Sequence, residues 1–208
     1  MQTAKPSVPV FDVGGVLIDW DPRHLYRDLI PDEAARERFL AEVCTPAWNR
    51  QMDLGKPFAE AVAELAALHP DQAELIAAYD THWMRMVPQA LDDTVAVLQE
   101  LAAAGLRICA ITNFSAEKFA ECQARFAFLR QFETVTVSGA IGLAKPDPAI
   151  FRRFLADAGL PAEDCLFIDD MSANVEAAQA QGMQATRFVG AAALRTTLAA
   201  HGLLPAPA

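Results

Sequence analysis

From about residue 89 onward, the sequence alternates between helix-like and strand-like segments. Residues 91–104 are typical of a helix ended by Gly105, and residues 106–112 form an apolar run that ends in polar residues. The alternation continues with predicted helices from Ser115 and at 148–158 and 172–181, and with predicted strands at 133–137, 165–168 and 185–189. Strands and helices that alternate at this spacing predict an α/β fold with a doubly wound parallel sheet.

The N-terminal part of the chain follows a different pattern. Residues 8–11 are apolar and predict one more strand of the sheet. Four helix-like segments follow at 23–29, 31–43, 58–68 and 71–86, without a convincing strand between them. We therefore predict a core domain made of residues 1–18 and 89–208, and a helical domain at residues 19–88 inserted after the first strand. Residues 205–208 are predicted to form a frayed tail.

Charge and hydropathy limit the partners that the chain can bind. The formal net charge is −10, and no run of basic residues offers a footprint for a nucleic-acid backbone. No apolar run approaches the roughly 18 residues of a membrane span, and the first residues lack the apolar stretch of a secretory signal. We predict a cytoplasmic protein that binds neither nucleic acid nor membrane. The sequence carries no indication of the oligomeric state.

Polar residues follow four of the predicted strands, close to the point where each strand ends. They are Asp12, Thr112 with Asn113, Lys145, and Asp169 with Asp170. The intervals between the last three clusters each leave room for one helix and one strand, so every cluster can return to the same edge of the sheet. Ligands bind at this edge in open parallel sheets. The four clusters together therefore predict a functional site.

The residue types in these clusters suit phosphoryl transfer through a carboxylate. Asp12 at a strand end can attack phosphorus and form an aspartyl phosphate, which water then hydrolyses. The three aspartates supply the hard oxygen ligands that Mg²⁺ prefers. Lys145 adds a positive charge, and the Thr112 hydroxyl and Asn113 amide offer hydrogen bonds to phosphate oxygens. Glycines that follow Asp12 let the backbone pass close to the bound group.

Four segments carry these clusters, in chain order FDVGGVLIDWDP, ITNFS, GLAKPDPAIF and FIDDMSANVEAA. They resemble motifs one to four of the haloacid dehalogenase-like superfamily, in the branch with a helical cap after the first motif. The resemblance runs from about Val10 to Val189. It implies a Rossmann-like doubly wound core with an inserted all-helical cap, and a magnesium-dependent phosphatase that acts on small phosphorylated metabolites.

The resemblance also implies a role for each site residue. Asp12 would be the nucleophile. The phosphate would be held by Thr112, Asn113 and Lys145. The Mg²⁺ ion would be bound by Asp12, Asp169, Asp170 and the backbone carbonyl of Gly14.

Motif one departs from the usual phosphatase pattern at one position. Phosphatases of this family carry a second aspartate two residues after the nucleophile, and this chain has Gly14 there. That aspartate protonates the leaving group and later activates water. Asp19 and Asp21, just after the loop, are candidates to replace it. Some family members with the similar DxGxV form resemble sugar-phosphate phosphatases, so the change at this position need not abolish activity. We expect a small phosphorylated metabolite, such as a sugar phosphate, as the substrate.

Two other functions fit the same motifs. The 2-haloacid dehalogenases of the superfamily attack carbon without a metal and have small neutral residues in motif four. Two adjacent carboxylates repel each other and would serve no purpose without a cation, so Asp169 and Asp170 favour a phosphatase. The second alternative is a catalytically weak binding or regulatory protein, which only the change at Gly14 supports.

A substrate pocket between cap and core is expected from residues of the insertion. The candidates for its lining are Trp20, Arg23, Trp48, Asn49 and Asp53, although Trp48 is more typical of a packing residue. We expect Asn174 to be a supporting or helix-surface group rather than a metal ligand.

Overall fold

The computed structural model describes residues 5–205, and residues 206–208 of the predicted tail lie outside this range. Its centre is a parallel sheet with the strand order β3-β2-β1-β4-β5. The strands are β1 (Val8–Phe11), β2 (Cys109–Thr112), β3 (Thr134–Val137), β4 (Cys165–Asp169) and β5 (Gln184–Arg187). The predicted α/β fold with a parallel, Rossmann-like sheet is therefore confirmed.

Strand β1 is the middle strand, and all of its residues are buried. Val10 lies beside Cys109 of β2 on one side and Phe167 of β4 on the other. A parallel strand covered on both faces has to be apolar along its whole length, which explains the unbroken run before Asp12. The central position of β1 places Asp12 between the carboxyl ends of β2 and β4.

Helices cover both faces of the sheet. In the described range they are α1 (Pro22–Leu29), α2 (Glu33–Glu42), α3 (Pro46–Asp53), α4 (Phe58–Leu68), α5 (Ala73–Thr81), α6 (Asp92–Ala103), α7 (Ala116–Arg125), α8 (Ser138–Ile141), α9 (Pro148–Ala158), α10 (Ser172–Ala180) and α11 (Ala191–Ala200). Short 3₁₀ helices lie at Pro70–Gln72, Trp83–Met86, Ala127–Arg130 and Ala162–Asp164. No helix of residues 5–205 combines the length and the apolar character needed to cross a membrane.

The strand side chains alternate between two hydrophobic clusters. Val10 and Phe167 pack into one cluster with Phe151 and Phe154 of α9. Phe11 packs into the other, larger cluster, which continues into the helices between β1 and β2. This division follows from the two-residue period of a strand. It also joins the segment 19–88, which we call the insert, to the core of the sheet.

Three parts of the helical pattern differ from the prediction. The predicted helix 31–43 begins at Glu33, because the Asp32 carboxylate caps it by accepting from the Ala35 amide at 2.7 Å. The predicted helix 71–86 is broken into a 3₁₀ turn, α5 and a second 3₁₀ turn. Helices α3, α8 and α11 were not predicted.

The insert leaves and rejoins the core at one place. The Asp19 amide donates to the Gln89 carbonyl at 3.1 Å, and the Leu91 amide donates to the Leu17 carbonyl at 2.9 Å. Ile18 forms isolated bridges to Gly14 and to Ala90. The first loop and the two ends of the insert are therefore hydrogen-bonded together, directly after the nucleophile candidate. The division into core and cap domains at these residues remains a prediction.

Candidate active site

Lys145 joins two of the predicted clusters. Its Nζ lies 2.8 Å from Asp12 Oδ1 and 2.7 Å from Asp169 Oδ2, and it donates to the Ile111 carbonyl at 3.0 Å. The side chain is 1% exposed, so this ammonium group has almost no contact with water. Burial of such a charge requires close partners, and the two carboxylates provide them.

Asn113 fixes the backbone of Lys145. Its Nδ2 donates to the Lys145 carbonyl at 3.0 Å, and its Oδ1 accepts from the Lys145 amide at 2.8 Å. The amide side chain thereby ties the end of β2 to the loop that carries the lysine. The sequence did not reveal this positioning contact, and the phosphate contact expected of Asn113 remains a prediction.

Thr112 is fully buried at the end of β2. Its Oγ1 has no hydrogen-bond partner among residues 5–205. A buried hydroxyl without a partner lowers stability by about 1–3 kcal/mol. A phosphate oxygen would satisfy it, which agrees with the role expected of this residue.

Asp169 is held from three sides at the end of β4. Its Oδ1 accepts from the Met171 amide at 2.8 Å and from Asn174 Nδ2 at 3.0 Å, and Lys145 contacts its Oδ2. Asn174 is itself buried. It is a supporting group, as expected, and its amide fixes the orientation of the Asp169 carboxylate.

Three carboxylates meet in the site. Oxygens of Asp12, Asp169 and Asp170 all lie within 4.8 Å of one another. Burial raises the pKa of Asp12 to about 7, although Lys145 opposes the shift. Burial and the charge of Asp169 raise the pKa of Asp170. A divalent cation would offset this repulsion and favour the ionised forms, so the residues fit a metal ion.

The two glycines after Asp12 have different surroundings. Gly15 has a φ of 72°, and a Cβ placed on it would lie 3.0 Å from Asp170 Oδ2. Both features favour glycine at position 15. A Cβ on Gly14, where phosphatases carry their second aspartate, would meet nothing within 4 Å. The structure therefore leaves open space at the position of the absent carboxylate.

Two cavities lie between the insert and the site, with volumes of about 70 Å³ and 880 Å³. Both are lined by Trp20, Asn49, Asp53 and Asn113. The small cavity also reaches Gly14, and Arg23 lines the large one. Four of the five residues predicted to line a substrate pocket therefore line one or both of these cavities.

Trp48 is the exception, since it lines neither cavity. Its ring packs edge-on against Tyr79 with centroids 4.9 Å apart, and its Nε1 donates to the Ala61 carbonyl at 3.3 Å. Sequence reasoning missed Phe58, Trp83 and Lys118, which line the small cavity. Of these three, only Lys118 could have been found from the sequence, because it lies one helical turn after the ITNFS segment.

The two candidates for the absent acid are engaged elsewhere. Asp19 lies 3.2 Å from His24 Nε2, and Asp21 caps α1 by accepting from the Arg23 amide at 2.8 Å. Neither aspartate lines the two cavities. This geometry disfavours both as proton donors.

A comparison with known protein families gives a match over residues 8–182 to a family described as haloacid dehalogenase-like hydrolase. The chain belongs to this family. The resemblance inferred from the four motifs is confirmed at the level of the family, and the branch with a helical cap remains a prediction.

Phosphatases are among the relatives of this haloacid dehalogenase-like hydrolase. Phosphatase MT3486 of Mycobacterium tuberculosis is 27% identical over 191 residues, with 86% of this chain and 85% of that protein covered. Glyceraldehyde 3-phosphate phosphatase of Methanopyrus kandleri is 24% identical, with 85% and 84% covered. A drimenol cyclase of Aspergillus calidoustus matches at 34% identity over 91 residues, 44% of this chain, and the match spans only 17% of its length.

Solved structures support the fold of this family. A HAD-family enzyme of Bacteroides thetaiotaomicron, crystallised as a magnesium complex, superposes with a TM-score of 0.70 at 21% identity. The superposition covers 89% of this chain and 94% of that enzyme. This superposition supports the fold, and the family match and the sequence relatives support a hydrolase of the phosphatase type.

Proposed function

We propose that this hydrolase cleaves phosphate monoesters of small metabolites with Mg²⁺, through an aspartyl phosphate on Asp12. One observation carries the proposal. The oxygens of Asp12, Asp169 and Asp170 lie within 4.8 Å of one another beside the buried ammonium of Lys145. The carboxylate oxygens are ligands that Mg²⁺ prefers, and the ammonium group offers a positive charge to a phosphate group.

Asp12 is held in an orientation that suits a nucleophile. Its Oδ1 accepts from the Val13 amide at 2.7 Å and contacts Lys145 Nζ at 2.8 Å. Its Oδ2 receives no hydrogen bond from residues 5–205. One oxygen is thus fixed by two donors, and the other is the oxygen that attacks phosphorus.

The remaining residues neutralise and hold the phosphate. Lys145 supplies a charge next to the attacking carboxylate, and the Thr112 hydroxyl supplies a donor for a phosphate oxygen. Asp12, Asp169, Asp170 and the Gly14 carbonyl would hold Mg²⁺. The bound ion would neutralise negative charge on the transferring phosphoryl group.

A sugar-phosphate-like metabolite is the substrate class that we propose. The large cavity of about 880 Å³ has room for such a molecule, and it offers Arg23, Asn49 and Arg50 as polar contacts. The relative that acts on glyceraldehyde 3-phosphate supports this class. The cytoplasmic location and the absence of a nucleic-acid partner remain predictions.

Phosphate release from p-nitrophenyl phosphate, measured with Mg²⁺ and with EDTA, tests the function. We expect turnover with Mg²⁺, none with EDTA and none in Asp12→Asn. A panel of phosphorylated metabolites then identifies the substrate. Turnover that persists in EDTA contradicts the magnesium mechanism, and halide release from 2-haloacids without a metal supports the dehalogenase. Metabolite binding that Asp12→Asn retains, with no hydrolysis by the wild type, supports a binding protein.

A further inference from the structure

One carboxyl group of the insert lines the same cavity as Gly14, the position where motif one lacks its second aspartate. Asp53 is the last residue of α3, and it lines the small cavity together with Gly14 and Asn113. We propose that Asp53 is the general acid and base of the hydrolysis assigned to this site. The proposal rests on the proposed function and names the group that replaces the absent acid.

Contacts from several elements hold Asp53 in place. Asn49 Nδ2 donates to its Oδ2 at 3.0 Å, and Asn49 Oδ1 in turn accepts from the Tyr79 hydroxyl at 3.0 Å. Ser138 Oγ donates to the Asp53 backbone carbonyl at 2.6 Å. Ser138 also accepts from the Phe114 amide at 2.9 Å, next to Asn113. The end of α3 is therefore tied to the loop that follows β2, and the carboxyl group has a fixed orientation.

The protonation of Asp53 suits a group that gives and takes protons near neutral pH. Burial raises its pKa to about 7, opposed by the charge of Arg50 and by the Ser115 amide. No lysine or arginine in the described part of the chain forms an ion pair with it. A general acid or base works best when its pKa lies near the working pH.

The other ionisable groups around Asp53 come from three helices. Arg50 lies on the same helix, Tyr79 faces it from α5, and Lys118 of α7 lines the same cavity. Lys118 Nζ is already paired with Asp80 at 2.6 Å and Glu121 at 2.9 Å. Its charge is thus satisfied by carboxylates other than Asp53.

The proton moves in two balanced steps. In the first, an Asp12 oxygen bonds to phosphorus, the bond from phosphorus to the ester oxygen breaks, and that oxygen takes the proton of the Asp53 carboxyl group. In the second, the Asp53 carboxylate takes a proton from water while the water oxygen bonds to phosphorus. The bond from phosphorus to Asp12 breaks, and inorganic phosphate leaves. Both aspartates return to their starting forms.

The rates of hydrolysis of two aryl phosphates of similar size show whether Asp53 acts as an acid or only as a structural residue. Phenolate is a poor leaving group without a proton, whereas p-nitrophenolate leaves readily. For Asp53→Asn we expect kcat/KM on phenyl phosphate to fall about 10²- to 10⁴-fold, with kcat/KM on p-nitrophenyl phosphate close to wild type. Since the second step also loses its base, the variant should release p-nitrophenol in a burst of one equivalent per site. Asp19→Asn, which changes the rival candidate, should match the wild type.

A second variant and a pH profile complete the test. Gly14→Asp added to Asp53→Asn should restore much of the rate on phenyl phosphate, because position 14 has open space and lines the same cavity. The kcat/KM of the wild type should decline as the pH rises above about 7, because Asp53 loses its proton. Asp53→Asn should not show this decline. If Asp53→Asn folds poorly, Asp53→Glu replaces it in the test. This variant keeps the carboxyl group, so the ratio of its kcat/KM values on the two aryl phosphates should resemble that of the wild type.

Two outcomes overturn the proposal. If the wild type hydrolyses both esters, and Asp53→Asn lowers both rates equally without a burst, Asp53 is not the acid or base, while the proposed function stands. If the wild type with Mg²⁺ hydrolyses neither ester nor any metabolite of the panel, the proposed function and this role of Asp53 both fail.

Discussion

Two buried carboxylates share one buried ammonium group in this site, and neither has another cation partner among residues 5–205. For Lys145→Met we expect loss of activity and a decrease of about 3–5 kcal/mol in the free energy of unfolding, because Asp12 and Asp169 stay buried without a counter-charge. Urea denaturation measures the change, and added Mg²⁺ should reverse part of it. Lys56→Met, which removes a partly exposed ammonium paired with exposed carboxylates, is the control and should unfold like the wild type.

The glycine pair after Asp12 allows a matched comparison. Gly15→Ala places a Cβ in a left-handed conformation and 3.0 Å from Asp170 Oδ2, so we expect a loss of about 1–2 kcal/mol in stability and weaker Mg²⁺ binding. Gly14→Ala has open space and should bind Mg²⁺ like the wild type. Isothermal titration calorimetry with Mg²⁺ compares them. Equal affinities in both variants would contradict the account of Gly15.

Helix α3 links the insert to the loop that follows β2, through the contacts of Ser138 with Asp53 and Phe114. It begins after Thr45, whose Oγ1 accepts from the Trp48 amide at 3.0 Å, and it ends at Asp53. Thr45→Ala should lower the free energy of unfolding by about 1 kcal/mol because the cap is lost. Thr45→Ser keeps the hydroxyl and should behave as the wild type does. Thermal denaturation checks both, and equal stability in all three proteins would refute the capping role.

The strands were predictable because their sequence pattern is local. Strands β1, β2 and β4 are buried apolar runs that end in polar residues. The rule that ligands bind at this edge of the sheet led to six of the candidate site residues. Strand β5 begins one residue earlier and ends two residues earlier than predicted. As an edge strand it pairs only with β4, and its residues are partly exposed, so its pattern is weaker.

The elements that were missed depend on distant contacts. Helix α11 is rich in alanine and threonine, and Leu194 and Leu198 are its only buried residues. The eight residues of α3 carry no clear apolar stripe, and the helix packs against α4 and α8. The cavity that Asp53 and Gly14 share and the contact of Asn113 with Lys145 also join residues far apart in the chain. Local periodicity carries no information on such contacts.

A metal ion at the three carboxylates should stabilise the folded chain, because the unfolded chain lacks this arrangement of ligands. We expect Mg²⁺ at about 100 times its Kd to add about 2.7 kcal/mol to the free energy of unfolding, and EDTA to remove it. Asp170→Asn should lose most of this gain. Thermal unfolding at several Mg²⁺ concentrations measures the effect, and a melting temperature that ignores Mg²⁺ in the wild type would contradict a metal site here.

The pH dependence of folding reports on Asp53 without any substrate. Its pKa is 3.8 as the ordinary value and about 7 in the folded protein, so between these values the native state binds a proton that the unfolded chain has released. The stabilisation that Asp53 contributes is therefore fully present below pH 3.8 and is lost as the pH rises to about 7. Over this range the free energy of unfolding falls by at most about 1.4 kcal/mol per pH unit because of this group.

Asp53→Asn cannot bind this proton, so its free energy of unfolding should decline less steeply than that of the wild type between pH 4.5 and 6.5. Urea denaturation across this range, in EDTA, measures the difference between the two slopes. Asp71→Asn, at an exposed position of the insert, should keep the slope of the wild type. Parallel slopes for Asp53→Asn and the wild type would mean that Asp53 is ionised throughout, and it would then lack the proton that the first step of hydrolysis requires.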